Sequence, residues 1–178
     1  PVLPASAAPA AAPALGSVPA APSRAAVTGL FGSADATYDG VFRQGLAITG
    51  LVAVGAKVPA ASVTWPTRQQ CADGSFQAYR SSLATPCRPA DPVTYTGKDT
   101  NSTALGALAL DAVGRSTRAR KAAAWLRATQ NKDGGFPYYP GGASDANSTG
   151  LVLVALRAFG LSAGELRATR RSATAVAY

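Results

Sequence analysis

The strongest constraint on what this chain can fold into is a short sentence that it contains twice. Residues 65–76 read WPTRQQCADGSF and residues 125–136 read WLRATQNKDGGF. The spacing is the same in both: Trp65, Gln70, Asp73, Gly74 and Phe76, then Trp125, Gln130, Asp133, Gly134 and Phe136, with Gly135 completing a glycine pair in the second. A second pattern runs in phase with the first. The stretch DTNSTALGALALDAVG (99–114) aligns with DANSTGLVLVALRAFG (145–160), and a weaker copy, GVFRQGLAITGLVAVG (40–55), keeps the central Leu and the closing Gly. Self-similarity of this kind means one small unit used repeatedly, each copy burying its apolar face on its neighbours.

Each unit reads as a pair of helices. Asp99 and Asp145, followed by Asn, Ser and Thr, are placed to accept hydrogen bonds from the first free amides as N-caps. Gly55, Gly114 and Gly160 supply a left-handed stop. Between cap and stop the residues are almost all apolar, which predicts inner helices buried on most sides. After each stop comes an outer helix. Its clearest copy carries Arg118, Arg120, Lys121 and Arg127 on one side and Ala122, Ala123, Trp125 and Leu126 on the other. Ser116 and Ser162 read as its caps in two copies, and Pro66 predicts an early end or a kink in the first. The expected helices are 45–55, 59–69, 101–113, 116–130, 147–159 and 162–177, with no strand between 40 and 160. The repeated sentence closes the outer helices: glycine breaks the helix, Phe76 and Phe136 tuck back as anchors, and Gln70 and Gln130 satisfy backbone groups at the turn. Return loops of 22 and 8 residues then lead from Phe76 to Asp99 and from Phe136 to Asp145.

Composition narrows the chemistry. With 178 residues and 47% hydrophobic side chains the chain can bury a core. Histidine is absent, which removes the usual base near neutral pH and the commonest metal ligand. No catalytic residue, metal site or cofactor is expected. Cys71 and Cys87, sixteen apart in loop-like sequence, are read as a disulfide; closing that loop stabilises by roughly 3 kcal/mol in the chain-entropy picture. Such a bond points to an oxidising compartment. Seventeen Lys and Arg against nine Asp and Glu give a net charge of +8. That suits a basic surface or an acidic partner, an anionic membrane surface included. Nucleic acid is not expected, because no aromatic residues interleave the basic clusters. Residues 1–28, mostly Ala and Pro, read as an extended arm or linker of the kind that follows a removed signal peptide, ahead of a repeat domain over 29–178.

The alternation of inner helix, outer helix and Q-x-x-D-G-G-F resembles the (α/α) barrel repeat of squalene and terpenoid cyclases and of protein prenyltransferase β subunits. The resemblance covers about residues 29–178. It implies an all-α fold of toroid type and a structural role for the motif residues, which tie neighbouring helices together. The chemistry of these families does not carry over. The cyclases' acid motifs, D-x-D-D or D-C-T-A-E, do not occur in this sequence, and the zinc ligand set of the prenyltransferases needs a histidine. Six helices make about half of such a ring, which leaves open faces that call for a partner or a second copy.

Three functions fit these observations. The first is a non-catalytic exported interaction module, an accessory subunit of a membrane or cell-envelope complex. The second is a ligand-binding barrel for a corrinoid or an isoprenoid lipid, with Tyr79, Tyr95, Tyr138 and Tyr139 as the candidate pocket rim. The third is a terpene-cyclase-like enzyme whose catalytic residues lie outside this chain.

Overall fold

The computed structural model describes residues 29–32, 40–80 and 82–160. The arm, the helix expected at 162–177 and its cap Ser162 lie outside them. The described residues form five helices: α1 (Val41–Ala53), α2 (Ala60–Gln69), α3 (Thr100–Ala112), α4 (Ser116–Ala128) and α5 (Ala146–Ala158). The expectation of no strand fails in one place. Two-residue strands β1 (Phe76–Gln77) and β2 (Lys98–Asp99) pair antiparallel, Phe76 opposite Asp99. A single bridge, Pro137 with Ser144, stands at the matching place of the second copy. Both join the two ends of a return loop, where the chain leaves the motif and re-enters a helix.

The capping chemistry repeats from copy to copy. Asp99 and Asp145 each accept from the amide three residues on, Ser102 and Ser148, at 2.7 Å. At the other end, the Gly55 and Gly114 amides donate to Val52 and Asp111, and the next amides, Ala56 and Arg115, reach back to Leu51 and Leu110. These are paired Schellman bonds around a residue at φ of +71° and +74°. Space is not the reason for glycine there, since nothing lies within 4 Å of a Cβ at either position.

Three expectations are corrected. α1 begins at Val41, not at Gly45: Gly45 lies inside the helix, where a Cβ would meet the Leu105 carbonyl oxygen at 2.8 Å. That glycine permits close approach of two backbones. Pro66 neither ends nor shortens α2, which runs to Gln69. Pro66 sits in the helix's buried stripe with Ser62 and Gln69, and the Thr67 hydroxyl donates to the Val63 carbonyl at 2.9 Å. Ser116 does not cap α4: Arg115 holds that position, with no side-chain hydrogen bond.

The largest correction concerns burial. Among the described helices, only α3 is an inner helix in the expected sense, because it packs against α1, α4 and α5. α1 buries one stripe, Val41, Gln44, Gly45 and Ile48, and leaves Phe42 and Leu46 about half exposed, at 46% and 52%. α5 similarly exposes Val154. Apolar composition therefore marks the position in the repeat, while the neighbours present decide burial.

Two apolar clusters flank α3. One gathers Ala104, Ala123, Leu126, Val152, Ala155 and Leu156 around Phe136; the other gathers Val41, Ala107, Leu110, Ala119 and Ala122 around Phe76. Trp125 and Trp65, both half-buried, pack against the first and the second respectively. Each Phe is thus the large anchor of one cluster, and each is placed by the same bonds. The Phe76 and Phe136 amides donate to the hydroxyls of Thr103 and Thr149, both at 2.9 Å. Gln70 and Gln130 donate through Nε2 to the Gly74 and Gly134 carbonyls. Asp73 and Asp133 accept from the Ser75 and Gly135 amides.

A third tie exists that the sequence comparison did not find. The Phe31 amide donates to Gln44 Oε1 at 2.8 Å, and Gln44 occupies the helix position of Thr103 and Thr149. Two residues before Phe31, Gly29 has φ +76°, as Gly74 has +98° and Gly134 has +91°. A Cβ on Gly29 would strike the Ala61 carbonyl of α2 at 2.4 Å, just as one on Gly74 would strike the Lys121 carbonyl of α4 at 2.6 Å. Only glycine and phenylalanine survive of the motif there, and Gln replaces Thr as the acceptor, so residue identity conceals a conserved geometry.

Candidate functional site

The N-terminal end of α3 is where the return loops converge. The Thr100 amide donates to the Tyr138 carbonyl at 2.9 Å, and its hydroxyl donates to the Pro137 carbonyl at 2.7 Å. The Tyr139 hydroxyl donates to the Tyr95 carbonyl at 2.7 Å, locking the two loops together. Tyr139 meets Tyr138 edge-on at 4.6 Å between ring centres and Tyr95 at 6.1 Å. Three of the four rim tyrosines are therefore one cluster. Tyr79 stands apart and lines a different cavity. Tyr95 takes a left-handed backbone (φ +54°), unusual for an aromatic residue, within the turn that Asp91 fixes through the Val93 and Thr94 amides.

Asp99 lies beneath this junction with no exposed surface. Its Oδ1 caps α3, and its Oδ2 has no hydrogen-bond partner among the described residues. Burial raises its pKa from 3.8 to about 6; the amides of Ser102, Ala78 and Asn101 oppose that shift without cancelling it. Burial, and then the charge of Asp99, also drives the Tyr138 and Tyr139 phenols upward. Asp145, the cap of α5, is half exposed. The two aspartates do the same local task in different dielectric surroundings.

Beside the junction runs an open groove of about 450 Å³. Its walls are Phe42, Leu46 and Arg43 from α1, Ala78 and Tyr138 from the return loops, and Ser102 from α3. The lining is mainly apolar, and its volume is that of a small-molecule or side-chain anchor site. Sequence reasoning missed Phe42 and Arg43 because the expected helix begins only at Gly45, and Leu46 because it reads as an interior residue of a buried helix. The available signal was the third copy's poorer match to the other two.

On the other side of β1 and β2, Cys71 and Cys87 form the expected disulfide, with their Cα atoms 5.8 Å apart. Lys98 pairs with Asp73 at 2.8 Å, so the first motif's aspartate serves both its own turn and the returning strand. In the second copy Asp133 accepts instead from Ser144 at 2.8 Å. Among the described residues, no helix is long and apolar enough to cross a membrane.

Residues 105–176 match the family model described as the squalene-hopene cyclase N-terminal domain. The matched stretch runs from within α3 through α4, the second motif copy and α5, under half of the chain. Over it the chain is similar to the squalene-cyclase type of the terpenoid cyclase superfamily, the resemblance its repeats carry. No curated protein and no solved structure matches the chain.

Proposed function

We propose, taking that family match as the premise, that this chain is a non-catalytic, exported interaction module built as an arc of toroid-type helix pairs over residues 29–178. The observation that carries the reading is the exposed apolar face of α1. Phe42 and Leu46, one helical turn apart, stand open where the equivalent surface of α3 is covered by a neighbouring repeat. The disulfide supports an oxidising compartment and hence export. Asp99, which caps α3 at the amide of the groove residue Ser102, has no exposed surface, which supports a structural role for it over an acid acting on a ligand.

Charge distinguishes between occupants of the open face. A second copy would bring +8 against +8, whereas a partner with an acidic rim would be attracted. A photo-crosslinking residue placed at Leu46, and a control at exposed Arg120 on α4, test this in the native cell. The expected outcome is one discrete adduct from position 46, of a mass that tells a different protein from a second copy, and none from 120. Absence of any adduct at 46 removes the support for a docking face.

The groove favours a second reading, a site for an isoprenoid chain. Its lining is mainly apolar, which suits such a chain. Stabilisation by a short prenyl alcohol in a thermal-shift titration, lost in Leu46→Lys, would select this reading over the first.

A further inference from the structure

The cavity on the disulfide side of the return loop has a character opposite to that of the groove. It is an open cavity of about 390 Å³ lined by Gln77, Tyr79, Arg80, Ser82, Thr85, Pro86 and Arg88. Two of these are arginines, three carry hydroxyls and none is acidic. The carboxylates nearest in sequence are occupied: Asp73 by Lys98, and Asp91 by Thr94 and its own turn. The two guanidinium groups therefore have no ion-pair partner among the described residues.

Arg80 is held by its side chain, whereas Arg88 is exposed and anchored only through its backbone. Arg80 spans the loop, donating to the Thr85 carbonyl at 2.6 Å and the Gln69 carbonyl at 3.4 Å, which engages two of its five N–H donors. Arg88 is fixed through its backbone: its amide donates to Gln77 Oε1 at 2.6 Å and its carbonyl accepts from Lys98 at 3.3 Å. The preceding residue, Cys87, is anchored to Cys71 by the disulfide. The Arg88 side chain itself makes no hydrogen bond among the described residues. Two guanidinium groups with spare donors, one braced by its own hydrogen bonds and one carried on an anchored backbone, beside hydroxyl groups, suit a tetrahedral oxyanion of charge near −2, which can accept from several directions at once. A planar carboxylate would leave one guanidinium without a counter-charge.

We infer that this loop is a binding site for a small phosphate-bearing ligand, with Arg80 and Arg88 supplying the charge and the Cys71–Cys87 disulfide holding Arg88 in register. The inference does not depend on the docking role of α1, which lies on the other cavity. The same phosphate monoester chemistry is offered by soluble esters and by the headgroup of phosphatidic acid, and the test separates them. Oxidised full chain is titrated with inorganic phosphate, with glycerol 3-phosphate and with vesicles containing phosphatidic acid, reading amide chemical shifts of Gln77 and Arg88 for the soluble ligands and co-sedimentation for the vesicles. The expected result is saturable binding by at least one probe, weakened about tenfold or more in Arg88→Gln and unchanged in Arg120→Gln on α4. Binding of the soluble esters assigns a metabolite source; binding of vesicles alone assigns a headgroup. Because Arg80 also braces the loop, Arg88→Gln is the deciding variant. No binding by any probe, or equal weakening in Arg88→Gln and Arg120→Gln, overturns the proposal.

Discussion

Asp99 shows at the scale of one residue how a shared motif acquires a private property. Its twin Asp145 caps α5 with the same bond at the same length, yet only Asp99 is fully buried. A carboxyl whose pKa rises from 3.8 unfolded to about 6 folded binds its proton more tightly in the native state. Stability therefore falls as pH rises from about 4 to 6, by of the order of 3 kcal/mol, and levels off above that. Asp73 acts in another window. Burial raises it, but the Lys98 and Ser75 bonds outweigh burial and hold it below 3.8, so its contribution is lost only in stronger acid. Chemical denaturation between pH 4 and 7 should show the declining slope in the native chain and a nearly flat line in Asp99→Asn. A native chain that becomes more stable over that interval would contradict the burial argument. The cap was legible from Asp-x-Asn-Ser-Thr, because capping is local chemistry. The raised pKa was not, because it depends on loops 40 residues away in sequence closing over the side chain.

Among elements, the glycines of the inner helices separate local from tertiary constraint. Gly106 in α3 faces the ring of Phe76, and a Cβ there would lie 2.7 Å from it. Gly150 in α5 has nothing within 4 Å. Gly106→Ala should therefore destabilise by about 1–3 kcal/mol through overpacking. Gly150→Ala should stabilise by roughly 0.5–1 kcal/mol, since alanine restricts the unfolded chain and favours the helix. Paired urea melts measure both, and a loss in Gly150→Ala as large as that in Gly106→Ala would mean that helix propensity is not what distinguishes them. The sequence offers no means of ranking the two, since each is a Gly in an apolar helix. The same blindness explains α1. Its composition matched that of an inner helix, but burial required an inner helix on each side, which α3 has in α1 and α5, whereas α1 among the described residues has only α3 and the outer helix α2.

For the molecule as a whole, the disulfide joins the end of α2 to the return loop that leads into α3. Replacing both cysteines by serine should cost about 3 kcal/mol of equilibrium stability. It should leave the Phe136 cluster between α3, α4 and α5 intact, because no residue of that cluster lies within the loop. Tryptophan fluorescence and denaturant titration test both parts: the midpoint should fall while the native-state spectrum of the half-buried Trp125 is retained. If the native-state Trp125 spectrum is lost as well, the two apolar clusters are coupled more tightly than their separate packing implies.

The sequence by itself determined the helical unit, the aspartate caps and glycine stops of its inner helices, the motif that ties one unit to the next, and the disulfide, since each depends on residues that meet within one turn or one loop. The tertiary structure alone decided which apolar helix is buried, where the third tie lies, that Asp99 is desolvated, and that Arg80 and Arg88 share a cavity without an acid between them. The physical reason is range. Hydrogen-bond capping and backbone conformation are fixed by neighbours along the chain, whereas burial and electrostatic environment are set by whichever distant segments the packing brings close.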